Sequence, residues 1–222
     1  MRKLAAPFIQ KKPQHPGTSS IGANPSLALN QKAPTRRPDP IILLSPSASS
    51  ILRMSNIRSF LEGGRYTPPD GGSATGGNTP MLHVSRVMKE IDPGRPMRFI
   101  LVESPEQFKH EYWNRLVGVF TTGQTWQFKS YKWREPDQLF LHVQGIYVGW
   151  RGEMPPENVK AWGHKVSCFG IDRWRDANGA GGPAAAEAAR FRDKEVVEHI
   201  WKVIENGMRA KGWRRDAAPR EI

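Results

Sequence analysis

LVGVFTTGQTWQFKSYKW, residues 116–133, is the most informative segment of this sequence. Its first five residues form a short apolar run that ends at Thr121-Thr122-Gly123, a pattern typical of a buried central strand. Its second part mixes aromatic and basic residues: Trp126, Phe128, Lys129, Tyr131, Lys132 and Trp133, followed by Arg134. Because α/β sheets place binding sites in the loops beyond their central strands, this second part is a candidate site. The alternative is that the aromatic residues cover the sheet edge and the lysines form a solvated rim.

The composition indicates one folded core together with a large share of unstructured sequence. Only 38% of the 222 residues are hydrophobic, and there are 21 glycines and 19 prolines. The net charge of +12 favours an acidic partner, namely nucleic acid, a phosphorylated peptide or an anionic membrane surface, without choosing between them. The single cysteine, Cys168, excludes an intramolecular disulfide. No apolar run approaches the ~20 residues that span a bilayer, so neither a membrane span nor a secretory signal is predicted.

Short apolar runs alternate with helical patterns along residues 40–205. Strands are predicted at 41–44, 98–102, 116–120, 146–150 and 165–171, and helices at 51–61, 104–113, 137–143, 155–162 and 193–205. Ser49 or Ser50 is the expected cap of the first helix, and Asn206-Gly207 is expected to end the last one. Residues 81–87 fit either an edge strand or a short helix. This order predicts a three-layer α/β domain with a mostly parallel sheet flanked by helices.

The other residues are predicted to lie outside this core. They are a disordered basic arm at 1–39, flexible insertions near 62–80 and 173–183, and a basic tail at 206–222. Two basic pairs in the arm, Lys11-Lys12 and Arg36-Arg37, fit either a weak nuclear localisation signal or an ordinary cationic linker.

The residue patterns do not favour an enzyme. A nucleotide hydrolase of this size needs GxxxxGK[ST] after its first strand, whereas residues 45–50 are SPSASS, without glycine or lysine. Cys168 is interpreted as a small buried hydrophobe and not as a nucleophile. The histidines, His142 among them, are interpreted as scattered surface residues, because no set has metal-ligand spacing. The sequence therefore predicts a domain without catalytic activity, nucleotide, metal or other cofactor.

Surface recognition is the remaining type of function. Arg115 comes just before the central strand, and Trp126, Lys129, Lys132, Trp133 and Arg134 follow it. These residues form a candidate cationic rim with an aromatic floor, which suits a phosphoserine peptide or single-stranded nucleic acid. Since a five-residue strand spans ~17 Å, Arg115 and Trp126 fit an extended peptide groove better than one compact pocket. The alternative is that Arg115 pairs with a local acid such as Glu111 and that Trp126 packs on the sheet.

Six segments of the chain resemble the C-terminal domain of the parafibromin family. They are PIILLSPSASSILRMSNIRSFLEGGRYTP (40–68), RPMRFILVESPEQF (95–108), EYWNRLVGVFTTGQTWQFKSYKW (111–133), LFLHVQGIYVGWRGE (139–153), VKAWGHKV (159–166) and RDKEVVEHIWKVIE (192–205). They occur in family order, and the third is the most specific. They correspond to this domain and not to the family's larger N-terminal half, which docks onto other subunits.

The resemblance implies a Ras-like fold that lacks the nucleotide-binding loop, and a nuclear role in transcription elongation. Members of the family are subunits of the RNA polymerase II-associated factor complex. Their C-terminal domain helps attach the complex to elongating polymerase, through phosphorylated repeat tails of the polymerase and of an associated elongation factor. The complex supports histone modification by other enzymes, so chromatin is an indirect partner. The alternative functions are general nucleic-acid binding and, less favoured, a degenerate nucleotide hydrolase.

Overall fold

The computed structural model describes residues 37–69, 80–174 and 182–220, and within them one sheet of six strands is flanked by helices. The strands are β1 (Ile41–Leu43), β2 (Met81–Met88), β3 (Asp92–Val102), β4 (Leu116–Phe120), β5 (Gln144–Trp150) and β6 (Val166–Ile171). The α-helices are α1 (Ile57–Gly63), α2 (His110–Trp113), α3 (Pro136–His142), α4 (Glu157–Ala161) and α5 (Gly182–Ala210). The strand order is β2-β3-β1-β4-β5-β6, and only β2 runs antiparallel to its neighbour. The predicted mostly parallel α/β sheet is therefore confirmed.

Strand β4 lies in the middle of the sheet, as the apolar run predicts. It pairs with β1 on one side and β5 on the other, and all five of its residues are buried. Val117 and Phe120 pack in the layer that contains α1 and α5. Leu116 and Val119 pack in the opposite layer, with α2, α3 and α4. The central strand thus contributes to both hydrophobic cores, which is the three-layer arrangement that the sequence predicts.

The first helix begins later than predicted, at Ile57 and not at residue 51. The predicted serine cap is not used, because the Oγ of Ser50 donates a 2.7 Å hydrogen bond to the carbonyl of Leu52. The side chain of Asn56 accepts from the backbone N–H of Arg53 at 2.8 Å and donates to the carbonyl of Thr67 at 2.8 Å. These bonds between side chains and backbone hold residues 50–56 in turns and so replace the first helical turns.

The second helix is also shorter than predicted, and covers only His110–Trp113. Ser104 does accept the backbone N–H of Glu106 at 3.3 Å, but the N–H of Phe108 then closes a turn onto the carbonyl of Pro105. The ambiguous segment 81–87 is an edge strand, β2, paired along its length with β3. Its backbone N–H at Ser85 donates to Glu62 at 2.7 Å, so α1 covers part of this edge.

The last helix continues past the predicted stop at Asn206-Gly207 and ends at Ala210. Tertiary packing explains the difference, because Met208 is fully buried and extends the apolar stripe of Ile200 and Ile204 by one turn. Gly212, with φ of 83°, then reverses the chain. Beyond it the indole of Trp213 is only 3% exposed and belongs to the same core as α5.

The two ends of the described chain are held against the fold. Arg37 donates from Nη1 to the carbonyls of Arg214 and Arg215 at 3.1 and 2.6 Å, and the amide of Asn114 donates to the carbonyl of Arg220 at 2.6 Å. Most of the predicted arm and insertions, namely residues 1–36, 70–79 and 175–181, lie outside the described residues.

The expectation that Cys168 is a buried hydrophobe is wrong. The residue lies on β6, which has a neighbour on one side only, and its side chain is exposed. Partial burial nevertheless raises the pKa of the thiol, which favours the protonated and less nucleophilic form. Cys168 therefore lies at the surface and not in the core, and the raised pKa of its thiol does not favour a reactive thiolate.

Candidate functional site

The loop after β4 divides its aromatic residues between the core and the surface. It contains a short 3-10 helix, Thr125–Ser130, whose Phe128 is fully buried and whose Trp126 is 47% exposed. The next residues, Tyr131 and Trp133, are buried and half-buried respectively. The amide of Gln127 holds the loop in place, because it donates to the carbonyl of Phe120 at 2.8 Å and to the hydroxyl of Tyr131 at 3.2 Å. Burial also raises the pKa of the Tyr131 phenol, so this hydroxyl stays protonated.

Two side-chain acceptors of this loop are buried without a hydrogen-bond donor in the described part of the chain. They are the Oε1 atoms of Gln124 and Gln127, on either side of Trp126 in the sequence. Buried carbonyl oxygens of this kind are normally satisfied, so these two are exceptions, and both are enclosed by the loop and not exposed to a ligand.

Beyond the 3-10 helix the chain returns toward the start of β4. The indole of Trp133 packs edge-to-face against Trp113, with ring centroids 6.0 Å apart, and Trp113 comes two residues before Arg115. The ring of His142, at the end of α3, stacks on Trp133 at 4.3 Å with an interplanar angle of 15°. The ammonium of Lys132 lies 4.5 Å from the centroid of the same indole, a cation–π contact. The half-buried indole of Trp133 is therefore in contact with one ammonium group and one imidazole ring.

Three cations of this loop lack an acidic partner in the part of the chain that the structure describes. Lys129, Lys132 and Arg134 are exposed, and none of them forms an ion pair with a described residue. Together with Trp126 and Trp133 they form the aromatic–basic surface. Because their charge is not neutralised within the described chain, this surface attracts anions.

Arg115 does not join this surface. Its side chain is only 6% exposed, and its Nε and Nη2 atoms both donate to the carbonyl of Asp39, at 2.8 and 2.6 Å. The guanidinium also lies over the ring of Tyr112 at 5.5 Å. Burial lowers the pKa of Arg115, and the nearby carboxylate of Asp39 opposes that shift. These contacts attach Asp39, two residues before β1, to the start of β4, which is a structural role.

No hydrogen bond, ion pair or ring contact connects Arg115 with Trp126 among the described residues. The local partner of Arg115 is the carbonyl of Asp39 and not the carboxylate of Glu111, although the negative charge of Glu111 does act on it. Trp126, in contrast, is 47% exposed. The two residues thus differ, and Trp126 remains the better candidate for ligand contact.

Sequence reasoning did not single out two further residues, His142 and Lys211, whose surroundings in the structure are unusual. His142 was interpreted as one of several scattered surface histidines, and Lys211 lies in the region predicted as a basic tail. The Nζ atom of Lys211 is buried and has no hydrogen-bond partner in the described chain, and this burial lowers its pKa to about 8. Burial lowers the pKa of His142 as well, followed by the positive charges of Lys211 and Lys132. No sequence signal connects them, because they are 69 positions apart.

The loop between β1 and α1 differs from a phosphate-binding loop. Its backbone N–H groups at Ser47 and Ser49 donate to the hydroxyls of Ser45 and Ser47, at 3.4 and 3.3 Å, and the N–H of Ser50 donates to the carbonyl of Ser47. In a phosphate-binding loop these groups would point to the nucleotide. Here the N–H groups of Ser47, Ser49 and Ser50 are satisfied within the loop.

The described residues contain no group of three or more histidine, cysteine or acidic side chains arranged to hold a metal ion. None of the helices described has both the length and the apolar character needed to cross a bilayer.

Comparison with known proteins agrees with this fold. A family model described as "RNA pol II accessory factor, Cdc73 family, C-terminal" matches residues 36–207. Cell division control protein 73 of Schizosaccharomyces pombe is 43% identical over 178 residues, which is 79% of this chain and 44% of the relative. The protein of the same name from Saccharomyces cerevisiae is 35% identical over 179 residues, covering 80% of this chain and 40% of the relative. The chain therefore spans less than half the length of these curated relatives.

A solved structure, "The conserved domain of yeast Cdc73", matches with a TM-score of 0.64 and 35% sequence identity. The match covers 79% of this chain and all of the yeast domain. That domain has a Ras-like fold, so the Ras-like architecture that the resemblance implies is confirmed.

Proposed function

The chain belongs to the Cdc73 family of RNA polymerase II accessory factors, and from this premise we propose that the domain is a non-enzymatic recognition module of transcription elongation. It helps attach the RNA polymerase II-associated factor complex to elongating polymerase in the nucleus. The ligands are phosphorylated repeat tails of the polymerase and of an associated elongation factor. Through this attachment the domain supports histone modification on chromatin by other enzymes.

The aromatic–basic surface is the observation that carries this proposal. Trp126 is an exposed aromatic anchor, and Lys129, Lys132 and Arg134 lie near it in the sequence without acidic partners. A phosphoserine carries close to two negative charges and three acceptor oxygens, which such cations bind through charge-assisted hydrogen bonds. The surface therefore suits a phosphorylated peptide.

The experiment is a titration of the full chain with a labelled repeat peptide, in phosphorylated and unphosphorylated forms. Trp126→Ala should weaken binding of the phosphorylated peptide by about 2 kcal/mol, the effect of removing a central aromatic anchor. Its thermal unfolding should stay close to that of the original chain, because the side chain is half exposed.

Leu141→Ala is a matched control, since Leu141 is an exposed apolar residue on α3, with 70% of its surface accessible. It should leave peptide affinity unchanged. Equal affinity of Trp126→Ala and the original chain, or equal affinity for the two forms of the peptide, would contradict the proposed function.

General nucleic-acid binding is the second candidate, because the net charge is +12 and residues 1–36 contain six basic residues and no acidic one. It predicts sequence-independent binding of RNA or DNA with a steep dependence on salt. Removing residues 1–36 should abolish most of that binding and leave phosphopeptide binding intact.

A degenerate nucleotide hydrolase is the weakest alternative, since backbone donors of residues 45–50 are satisfied within the loop. Micromolar affinity for GTP or ATP with magnesium would favour it.

A further inference from the structure

A groove lies between the end of strand β2 and the second half of helix α5. One wall is the segment 86–90, and the other is the face of α5 between Glu198 and Arg209. Its volume is about 500 Å³, which is within the ~300–1,000 Å³ range of ligand pockets. This β2–α5 groove is therefore large enough to receive several side chains of a ligand.

The β2–α5 groove and the aromatic–basic surface lie at opposite ends of the sheet. Strand β1 is parallel to both β3 and β4, so β3 and β4 begin at the same end. Strand β2 is antiparallel to β3, and its last residue, Met88, pairs with Asp92 at the start of β3. The groove is thus at the end where the parallel strands begin, whereas Trp126 follows the other end of β4. A ligand in the groove does not take the place of one on the aromatic–basic surface.

The groove combines an apolar floor with one exposed apolar side chain. Met88 and Trp201 belong to the core and are 1% and 2% exposed, whereas Val87 is 39% exposed. Val87 lies where the register between β2 and β3 shifts, between Arg86 and Met88. Such an irregularity leaves a residue of an edge strand unpaired and changes the direction of its side chain. Val87 is therefore available for apolar contact with a ligand.

All three carboxylates of the groove are engaged by donors of the groove itself. Glu198 of α5 forms an ion pair with Arg86 of β2, and Arg209 lies 3.6 Å from the carboxylate of Glu90. Glu205 accepts the backbone N–H of Glu90 at 2.7 Å. These contacts hold the two walls together, and they also occupy the negative charge of the groove.

Two lysines of the groove have no such partner. Lys89 and Lys202 are exposed, and the ammonium of neither forms an ion pair or a hydrogen bond with a described residue. His199, on the same face of α5, is exposed as well. The unpaired positive charge beside an apolar floor is complementary to an acidic ligand that carries an apolar side chain.

We propose that the β2–α5 groove is a second protein-docking site, which binds an acidic segment of a partner protein. A large apolar side chain of that segment packs against Val87, and its carboxylates pair with Lys89 and Lys202. This site is additional to the phosphopeptide site and does not depend on it.

The charge of the chain excludes its own segments as suitable occupants. Residues 1–36 contain six basic residues and no acidic one, so they are not complementary to a groove with two unpaired lysines. A second copy of the chain would bring a net charge of +12. A nucleic acid also fits less well than an acidic peptide, because three carboxylates line the groove and the buried indole of Trp201 offers no face to a base.

The test is a titration of the full chain with short labelled peptides, followed by fluorescence anisotropy. The probe is rich in glutamate and carries leucine. One counterpart has serine in place of leucine, and the other has glutamine in place of glutamate. The probe should bind more tightly than both counterparts, since it alone supplies the charge and the apolar contact together.

Exposed residues of the groove provide the variants. The double variant Lys89→Gln with Lys202→Gln should weaken binding of the probe about tenfold, through the loss of two ion pairs. Val87→Ser should weaken it about fivefold and leave binding of the serine counterpart unchanged. Lys109→Gln, at an exposed lysine before α2 in the opposite layer, is the matched control and should have no effect. The temperature of unfolding should stay the same in all of these variants, because every substituted side chain is exposed.

Histidine signals in NMR spectra report where the probe binds. The signal of His199, identified with His199→Gln, should shift when the probe is added. The signal of His142, which lies against Trp133 of the aromatic–basic surface, should not shift. Trp126→Ala should leave affinity for the probe unchanged.

The opposite results would overturn the docking site. Equal affinity for the probe and its serine counterpart would mean that the probe is attracted only by the overall charge of the chain. An equal effect of Lys109→Gln and the double lysine variant would lead to the same conclusion. If the double variant loses affinity for single-stranded RNA and not for the probe, the groove belongs to a nucleic acid and not to an acidic peptide.

Discussion

Arg115 and Lys211 are both buried cations, but their surroundings differ in one decisive respect. Arg115, at the start of β4, donates two hydrogen bonds to the carbonyl of Asp39 and lies over an aromatic ring. Lys211, after the end of α5, has no acceptor for its Nζ atom among the described residues. A buried cation with acceptors helps to hold the fold together, whereas one without them destabilises the fold. Hydrogen-bond satisfaction, more than burial, thus separates a stabilising buried cation from a destabilising one.

The largest loss of stability is expected from Arg115→Glu, which tests whether Arg115 has a structural role. The change removes both bonds to the carbonyl of Asp39 and places a carboxylate near the buried carboxylate of the same residue. Removing one partner of a buried charged contact typically costs about 3–5 kcal/mol, so the free energy of unfolding in urea should fall by that amount. Arg134→Glu, an exposed cation, should change it by less than ~0.5 kcal/mol.

The opposite result would move Arg115 into the binding site. If Arg115→Glu unfolds like the original chain and yet loses phosphopeptide affinity, the groove that the sequence predicts between Arg115 and Trp126 is correct. The hydrogen bonds to Asp39 would then contribute little to the fold.

The second prediction concerns the pH dependence of stability. It tests the part of the comparison that involves Lys211. Burial lowers the pKa of Lys211 from 10.5 to about 8 in the folded chain. Between these two values the unfolded chain keeps the proton that the folded chain has released, so stability rises with pH across this window. Below pH 8 the cost of burying the charge is present in full. The difference corresponds to about 3 kcal/mol, since each tenfold change in proton affinity is worth about 1.4 kcal/mol.

The free energy of unfolding in urea is measured from pH 7 to pH 11 for the original chain and for Lys211→Met, and each is plotted against pH. The difference between the two curves is the contribution of Lys211. Other groups that titrate in this range, such as tyrosines, contribute equally to both curves and cancel. Parallel curves would mean that Lys211 is paired or hydrated in solution, which would remove the contrast with Arg115.

The smallest effect is expected at the exposed part of the aromatic–basic surface. Lys129→Ala should change the free energy of unfolding by less than ~0.5 kcal/mol, because the side chain is exposed and makes no ion pair with a described residue. Phosphopeptide binding should become weaker and less dependent on salt, since one attractive charge is lost. A clear loss of stability would show that Lys129 supports the loop, and would leave Lys132 and Arg134 as the cations of the surface.

Most of the framework was predictable because it follows from local patterns. Strand β4 could be recognised from five apolar residues ended by a glycine, and the alternation of strands and helices predicts the parallel sheet. The elements that were predicted with wrong limits are those where tertiary contacts or side-chain hydrogen bonds override propensity. Asn56 shortens the first helix through its own bonds to the backbone, and burial of Met208 carries the last helix past Gly207.

The candidate site was predictable only in part. The mixture of aromatic and basic residues after β4 identified the loop, and Trp126 is indeed exposed there. Composition could not show that Phe128 and Tyr131 face the core while Trp126 does not, because all three follow one strand within six positions. It also could not reveal that the guanidinium of Arg115 points to the carbonyl of Asp39, since a backbone acceptor has no signature in sequence.

The order of the elements, the absence of a phosphate-binding motif at residues 45–50 and the family of the chain could all be inferred from the residues alone. These depend on residues that are neighbours in the chain, such as SPSASS at 45–50 and the apolar run 116–120. The packing of distant elements, in contrast, sets which buried cations have hydrogen-bond acceptors, as Arg115 does, and which, like Lys211, have none in the described part of the chain. A backbone or side-chain acceptor far away in sequence comes within reach of a cation only when the elements pack, so its presence has no local signature in the sequence.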